Sequence, residues 1–267
     1  MDGIAAQDGS GALSHVKGVV LLLDDVLYDR QDWHIPALCF AAASLGMDPD
    51  RVSICIDEYI QQTGSADAGI YNHILLSFGQ SDSVMNIRAF NAWVNRFSPQ
   101  PGSMYMYPGV RDALEQLRYS HVLSLLVQGN TDSQKSIVSA LDCGKYFSHV
   151  AFADEIDGMR SRLPDERAVR GLLSQMRLGH SEVLLVGNNP HKHFETPNRL
   201  GCHTVRCMTG EYSKLDNDLG PACAHYSISS AARLPKLLGV GNDFGSGIQV
   251  GTKLTGPADS VSFKARA

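Results

Sequence analysis

The apolar and polar positions of the chain follow three patterns in turn. Residues 19–29 contain a short apolar run that stops abruptly at Asp24 and Asp25. A run of this length, with charge at its carboxyl end, predicts a strand buried on both faces that holds the carboxylates at the rim of a parallel sheet. Ligands of open α/β sheets bind at that rim. These two aspartates are therefore the first candidates for a functional site.

The second pattern, over residues 30–104, is the helical spacing of apolar side chains. Four consecutive segments show it, with no convincing strand pattern between them. Such a series predicts a small helical bundle inserted after the first strand. Residues 98–103, which read Ser-Pro-Gln-Pro-Gly-Ser, predict a linker back to the sheet. The aromatic residues predicted to lie in the core of the bundle are Trp33, Phe90, Trp93 and Phe97.

The third pattern begins near residue 105, where short apolar runs alternate with helical segments. Strands that alternate with helices of about 10–15 residues predict a doubly wound, Rossmann-like parallel sheet. A helix is predicted to start at Pro190 and another to be capped by Asp132. The predicted strands cover residues 121–127, 149–152, 183–186, 204–207 and 225–228.

Together these patterns predict an α/β fold in which a helical cap interrupts a Rossmann-like core. The core is assigned residues 16–29 and 105–240, and the cap residues 30–104. Residues 1–15 are predicted to be a flexible lead. Residues 241–267 are rich in Gly, Ser, Thr and Lys and poor in large apolar residues, so they predict a disordered tail.

Composition excludes several classes of partner. The formal net charge of −5 and the pI near 6.0 provide no general attraction to nucleic acid or to an anionic membrane. The six cysteines are scattered and form no Cys-x-x-Cys pair, which favours reduced thiols over disulfides or a zinc site. No apolar run approaches the ~20 residues that a membrane span needs. The amino end does not resemble a signal peptide, so we expect a cytoplasmic protein.

Four short segments resemble the motifs of the haloacid dehalogenase-like (HAD) phosphohydrolases. Residues 22–28 stand where the family has Asp-x-Asp-x-Thr-Leu-Tyr, and residues 126–130 where it has Thr or Ser before Asn-Gly. Residues 162–165 resemble Lys-Pro-Asp. Residues 186–201 resemble a long fourth motif, Val-Gly-Asp-Asn-Pro-x-x-Asp-Phe-x-x-Pro-Asn-x-x-Gly, which is unusual enough to be highly specific. The resemblance covers residues 17–238 and implies a HAD core with a helical cap.

The same resemblance implies a catalytic mechanism, and the groups that this mechanism needs can be compared with the residues at the matching positions. In the family, one aspartate attacks phosphorus, and a second aspartate two residues later protonates the leaving oxygen. Mg²⁺ and a lysine neutralise the transferring group, and a Thr or Ser hydroxyl binds it. Of these groups only the acid/base carboxylate, Asp24, is retained. The positions that correspond to the others are Leu22 (nucleophile), Val26 (first-motif threonine), Val127 (hydroxyl), Leu163 (lysine), and Asn188 and His193 (fourth-motif aspartates).

This loss predicts a catalytically degenerate protein. We expect Leu22, Val127 and Leu163 to pack together as core, and Asp24 to serve as a structural carboxylate that accepts backbone N–H bonds. Asp25 is expected to stabilise the turn. No cofactor is predicted, because one carboxamide cannot replace two anionic ligands of Mg²⁺. The weak ligand-binding set is Asp24, Gln128, Gly129, Asn130, Asn188, Asn189, His191 and Lys192.

Three functions remain open from the sequence. The leading one is a pseudoenzyme with a binding, scaffolding or regulatory role, for which the cleft between cap and core is a candidate surface. The first alternative is a hydrolase with rearranged chemistry that uses Asp24 with His193 or His191 as acid and base. The second is a metal-free binder of a phosphorylated or nucleotide-sugar ligand. The partner is accordingly an unidentified protein or a small phosphorylated or sugar ligand, and neither nucleic acid nor a membrane.

Overall fold

The fold is described from a computed structural model, which covers residues 13–66, 69–155, 166–215, 220–240 and 248–250. Most of the predicted lead and tail therefore lies outside the described residues, as does Leu163. Within the described part of the chain, no helix is long and apolar enough to cross a membrane. All six cysteines are free, as the sequence predicts.

Six parallel strands form the centre of the molecule, which confirms the predicted α/β class. They are β1 (Gly18–Leu22), β2 (Val122–Val127), β3 (His149–Phe152), β4 (Val183–Gly187), β5 (His203–Cys207) and β6 (Tyr226–Ile228). The strand order is β3-β2-β1-β4-β5-β6. Because β1 has a neighbour on each side and lies within the hydrophobic core, all five of its residues are buried. This is why its sequence is a continuous apolar run rather than an alternating one.

A seventh strand, β7 (Ile248–Val250), pairs antiparallel with β6. The prediction of a disordered tail does not hold for these three residues. The physical reason is that the outer edge of β6 presents backbone groups with which a following segment can pair.

Four helices follow β1, and we call them the inserted helices. Helix α1 packs against α2 and α4, and α3 packs against the same two helices. Of the aromatic residues predicted to form their core, Phe90 is fully buried, whereas Trp93 and Phe97 are only partly buried. The inserted helices are α1 (Gln31–Ser44), α2 (Pro49–Thr63), α3 (Ile70–Ser77) and α4 (Val84–Val94).

Five further α-helices accompany the sheet within the described residues. They are α5 (Val110–Leu117), α6 (Thr131–Ala140), α7 (Glu166–Met176), α8 (Glu195–Leu200) and α9 (Leu234–Leu237). The residue that caps α6 is Asn130 rather than Asp132, because the Asn130 carboxamide accepts the Ser133 N–H. Helix α8 begins at Glu195 rather than Pro190, since residues 189–193 form a turn around His193.

Candidate functional site

A cavity of about 510 Å³ lies at the carboxyl ends of β1 and β4, the rim at which ligands of such sheets bind. Leu22 and Asp24 line it from the end of β1, and Asn188 lines it from the end of β4. The other residues of its wall are Leu23, Asp25, Arg30, Gly69, Leu126, Gln128, Asn189, Lys192, His193, Glu211 and Tyr212.

Asp25 organises the loops around this cavity. Its carboxylate accepts hydrogen bonds from the Arg30 N–H (3.0 Å), the Asn188 carboxamide (3.2 Å) and the Glu211 N–H (3.3 Å). Its backbone carbonyl accepts a further bond from the Thr209 hydroxyl. Asp25 itself has a positive φ of 58°, a conformation that aspartate tolerates better than most residues. It therefore joins the ends of β1 and β4 to the loop after β5, a larger role than the predicted turn stabilisation.

The environment of Asp25 disfavours its charged form. Burial raises the pKa of its carboxyl to about 6, and the neighbouring Asp24 charge adds to the increase. The hydrogen bonds from the Arg30 and Glu211 N–H groups oppose this effect. Asp25 consequently changes protonation in a mildly acidic range rather than near the ordinary value of 3.8.

The hydrogen bonds of Asp24 differ from those that the sequence predicts. The Tyr28 hydroxyl donates to its carboxylate at 2.9 Å, whereas the backbone N–H bonds expected at this residue go to Asp25. The reason is the chain's left-handed turn at Asp25, which directs that side chain back toward the loop amides. Burial raises the pKa of Asp24, and the Arg30 charge and the Tyr28 hydrogen bond work against the rise.

Arg30 and Glu211 are polar wall residues that the sequence analysis missed. A guanidinium nitrogen of Arg30 lies 3.6 Å from a carboxylate oxygen of Glu211. The other Glu211 oxygen accepts the Ser65 hydroxyl at 3.2 Å, which links the inserted helices to the loop after β5. Arg30 lies two residues after the first motif, and this position was the only signal that could have identified it.

His193 is fixed as a neutral side chain. The backbone N–H groups of Asn188 (3.3 Å) and Asn189 (3.1 Å) both donate to its Nδ1. Because Nδ1 accepts, the neutral ring carries its proton on Nε2. Burial lowers the pKa of His193 to about 3, and the Lys192 charge acts in the same direction. The backbone at Gly187 approaches the His193 ring closely, so that a Cβ at residue 187 would lie only 2.8 Å from Nδ1. This close approach favours glycine at that position.

A second cavity of about 470 Å³ adjoins the first and shares Asp24, Arg30, Gln128 and Lys192 with it. The N-terminal end of α6 supplies one wall, and the inserted helices supply the other. Two buried polar atoms of these walls, Trp33 Nε1 and Gln134 Oε1, have no hydrogen-bond partner among the described residues. The remaining wall residues are Tyr71, Asn91, Asn95, Gly129, Asn130, Ser133 and Asp154.

The structure brings together most, but not all, of the predicted site residues. Of the weak ligand-binding set, His191 is exposed and lines neither cavity. Val26 and Val127 are fully buried and also lie outside both walls. Those that line one cavity or both are Asp24, Gln128, Gly129, Asn130, Asn188, Asn189 and Lys192, together with Leu22 and His193 of the degenerate positions.

The predicted packing of Leu22 against Val127 is wrong in detail. In the β1–β2 ladder, Leu22 lies opposite Leu126, and Leu126 rather than Val127 shares the cavity wall with it. Adjacent residues of a strand point to opposite faces, so Leu22 and Val127 do not share one. Leu22 is nevertheless only 4% exposed, and its neighbour at this strand end is also a hydrocarbon.

The residues at the rim do not fit Mg²⁺. The ion prefers oxygen ligands, several of them anionic, in octahedral geometry. Leu22 has no oxygen, the Asn188 carboxamide donates to Asp25, and Asp24 is hydrogen-bonded to Tyr28. Among the residues that the structure describes, no group of three or more His, Cys, Asp or Glu side chains could hold a metal ion.

Comparison with known proteins identifies the family. Residues 21–206 match the sequence profile of the haloacid dehalogenase-like hydrolases, and this segment includes the strand end at Leu22, the inserted helices and β4. The chain belongs to the HAD-like hydrolase family. A search of curated proteins finds no match.

Solved structures of HAD proteins share the fold at low sequence identity. The magnesium-bound YfnB from Bacillus subtilis is 11% identical, with a TM-score of 0.63 over 84% of this chain and 99% of that one. A HAD phosphatase from Thermococcus onnurineus is 17% identical, with a TM-score of 0.55 over 84% and 98%. A 2-haloacid dehalogenase from Pseudomonas syringae is 20% identical, with a TM-score of 0.52 over 84% and 98%. At these identities the likeness shows the HAD fold alone.

Asp25 gives a testable pH dependence of stability. Its carboxyl binds a proton more tightly in the folded protein (pKa about 6) than at the ordinary value of 3.8. The stability contributed by the protonated form is therefore fully present below about pH 4 and is lost as the pH rises through about 6, an effect of about 3 kcal/mol. We expect the free energy of unfolding of the wild type, measured against Asp25→Asn by urea denaturation, to fall by most of that amount between pH 4 and pH 7. A difference that stays constant with pH would show that Asp25 is charged in the folded protein throughout.

Proposed function

We propose that this HAD-family protein binds a small phosphorylated ligand, such as a sugar phosphate, without hydrolysing it by the family's route. The observation that carries the proposal is Leu22, whose hydrocarbon side chain lines the cavity at the end of β1. The resemblance to the HAD motifs assigns this position to the attacking carboxylate. A side chain without an oxygen cannot form the aspartyl-phosphate on which the family's chemistry depends.

The other groups at the rim support the loss of catalysis. His193 uses Nδ1 to accept two backbone N–H groups and keeps its proton on Nε2, so it offers no free basic nitrogen to a nucleophile. Asp24, the remaining acid/base residue, is hydrogen-bonded to Tyr28. A hydrolase that used Asp24 with His193 would have to break these bonds before reaction. A partnership with His191 is disfavoured because that residue lines neither cavity.

The two adjoining cavities support binding. Arg30 and Lys192 line both of them, and Lys192 forms no salt bridge with any described residue. At the junction, where Asp24 also lies, Lys192 is a cation available to an anionic group such as a phosphate, and Arg30, which also faces Glu211, is a second. The second cavity is lined by carboxamides, and two of its wall residues, Trp33 and Gln134, each carry a buried polar atom without a hydrogen-bond partner among the described residues. Convergent polar groups of this kind suit the hydroxyls of a sugar.

The test combines turnover with binding. We expect no hydrolysis of p-nitrophenyl phosphate or of a sugar-phosphate panel above the blank, with or without Mg²⁺. At least one panel member should raise the melting temperature, since a ligand at 100 times its Kd stabilises the folded state by about 2.7 kcal/mol. Arg30→Gln and Lys192→Gln should each weaken that ligand at least tenfold. Arg118→Gln, which removes an exposed charge that lines neither cavity, is the matched control.

Three results would contradict the proposal, and each has a different meaning. Turnover that disappears in Asp24→Asn would establish the rearranged hydrolase and refute the proposal. Stabilisation that survives in both Arg30→Gln and Lys192→Gln would place the ligand elsewhere. If no phosphorylated compound stabilises the protein, the ligand-binding proposal fails.

A second candidate is a scaffolding or regulatory role through a protein partner. The inserted helices expose several large apolar side chains: Ile54 (58%), Leu76 (56%), Val84 (64%) and Met85 (80%). Exposed apolar side chains of this size are found at protein interfaces when they form a continuous patch. A partner recovered from a host lysate by the wild type, but not by Met85→Glu, would support this role. Equal recovery by both proteins would contradict it.

A further inference from the structure

Three histidines cluster at the amino edge of the sheet, opposite the rim that carries the two cavities. His15 precedes β1, His203 is the first residue of β5, and His225 immediately precedes β6. The Nε2 atoms of His15 and His203 are 2.8 Å apart, and their ring centroids are 4.8 Å apart at an interplanar angle of 68°. The HAD chemistry discussed above does not use any of these residues.

Well-anchored backbone holds the His15–His203 pair in place. Leu13 (1% exposed) and Val16 (4% exposed) fix the segment around His15 in the core. Directly after this segment, the Lys17 N–H donates to the Glu182 carbonyl at 2.8 Å. His203 is held by the β4–β5 ladder, in which it lies opposite Leu184. The two imidazoles are therefore positioned before any ligand binds.

We propose that His15 and His203 form a two-imidazole site for a divalent transition-metal ion of borderline softness, such as Cu²⁺ or Zn²⁺. Metal–nitrogen bonds of about 2.0–2.1 Å place two ligating nitrogens about 2.8–3.0 Å apart at a right angle and about 3.3–3.4 Å apart at the tetrahedral angle. The observed separation of 2.8 Å needs only a small side-chain rotation to reach either arrangement. His15 is exposed, so water can fill the remaining coordination positions.

The surroundings favour a cation at this pair. Glu182 lies close enough to His15 for their charges to interact, and it also forms a salt bridge of 2.6 Å with Lys17. His225 is an orienting neighbour rather than a third ligand. Its Nδ1 accepts the Thr204 N–H at 3.1 Å, which leaves the proton of the neutral ring on Nε2. Its ring packs against His203 with centroids 6.0 Å apart at 63°.

The chemistry of the pair predicts an order of affinity and a change of tautomer on binding. Two imidazoles with water should bind Cu²⁺ more tightly than Zn²⁺, in the Irving–Williams order. The metal-free pair needs a proton between the two Nε2 atoms, whereas a metal needs both lone pairs. Binding therefore moves that proton to Nδ1 of the same ring.

The test is calorimetric titration of the full chain with Cu²⁺ and with Zn²⁺ in a non-chelating buffer. We expect one site, at least tenfold weaker in His15→Gln and in His203→Gln, and unchanged in His149→Gln, a histidine at the start of β3. The Cu²⁺-loaded wild type should show two imidazole nitrogens in its electron paramagnetic resonance spectrum, and each single variant one. Both metals should raise the melting temperature of the wild type, because they tie the segment before β1 to β5.

Two results would overturn the proposal. The first is metal affinity that is unchanged in both His15→Gln and His203→Gln. The second is affinity that disappears when the free thiols are alkylated while both histidines are intact, since this would assign the metal to cysteine. His15→Gln replaces an exposed side chain, so its melting temperature without metal should match the wild type and keep the test valid if His203→Gln is unstable.

Discussion

The variant Leu22→Asp is expected to remain inactive as a phosphatase and to lose about 3–5 kcal/mol of stability, as proteins do when a buried charge has no partner. The substitution restores the carboxylate that the HAD motif contains. However, Arg30 is already paired with Glu211, and the residues around the rim do not fit Mg²⁺. The new charge would replace a side chain that is 4% exposed and lies opposite Leu126. Urea denaturation and a p-nitrophenyl phosphate assay with Mg²⁺ provide the two measurements.

Leu22→Met and Leu22→Asn are the matched variants. Methionine conserves volume and should cost less than about 1.5 kcal/mol. Asparagine adds polarity without charge, so its loss of stability should lie between those of methionine and aspartate. Mg²⁺-dependent hydrolysis recovered by Leu22→Asp alone would refute our account of the rim, because it would mean that the other family positions are dispensable.

The second large effect is expected at Gly210. This residue has a φ of 67°, and a Cβ added to it would overlap the Asp25 side chain. Gly210→Ala should therefore combine about 1–2 kcal/mol for the left-handed backbone with about 1–3 kcal/mol for overpacking. It should also displace the loop that carries Glu211, because that loop approaches Asp25 at this glycine.

Gly201→Ala separates the two contributions. Gly201 ends α8 with a φ of 86°, and a Cβ there would meet no atom within 4 Å. The variant Gly201→Ala should lose only the stability that the left-handed backbone costs, about 1–2 kcal/mol. Thermal and urea unfolding of the two variants provide the comparison. Equal losses at Gly210 and Gly201 would mean that the close approach to Asp25 is not a constraint on the loop.

The sheet and the location of the rim were predictable because they depend on local pattern. A continuous apolar run that ends in Asp24 and Asp25 specifies a buried strand and its polar end without information about distant residues. The same holds for the helical spacing after Asp29. The helix start predicted at Pro190 was wrong because His193 organises the preceding turn through its side chain, which apolar spacing does not report.

The walls of the cavities were less predictable because they depend on pairs of residues far apart in the chain. Glu211 reaches Asp25 across a separation of 186 residues, and no motif connects the two. Trp33 was predicted to lie in the core because of its apolar ring, and it is buried. The prediction did not show that Trp33 also lines the second cavity, where its indole nitrogen has no hydrogen-bond partner among the described residues. The place of Gln134 in the cavity wall could not be predicted, because a single glutamine in a helix is ordinary. Val127 was placed beside Leu22 because the register between β1 and β2 is not encoded locally.

Among the described residues, two side-chain hydrogen bonds join the inserted helices to the rest of the chain around the cavities. The Ser65 hydroxyl donates to Glu211, and the Ser133 hydroxyl of α6 donates to the Asn95 carbonyl after α4 at 2.8 Å. Each bond contributes about 0.5–1.5 kcal/mol, so the two together oppose separation of the inserted helices from the sheet at the cavities. A ligand that contacts both sides would be held by the same restraint, and a long residence time is the kinetic consequence to expect.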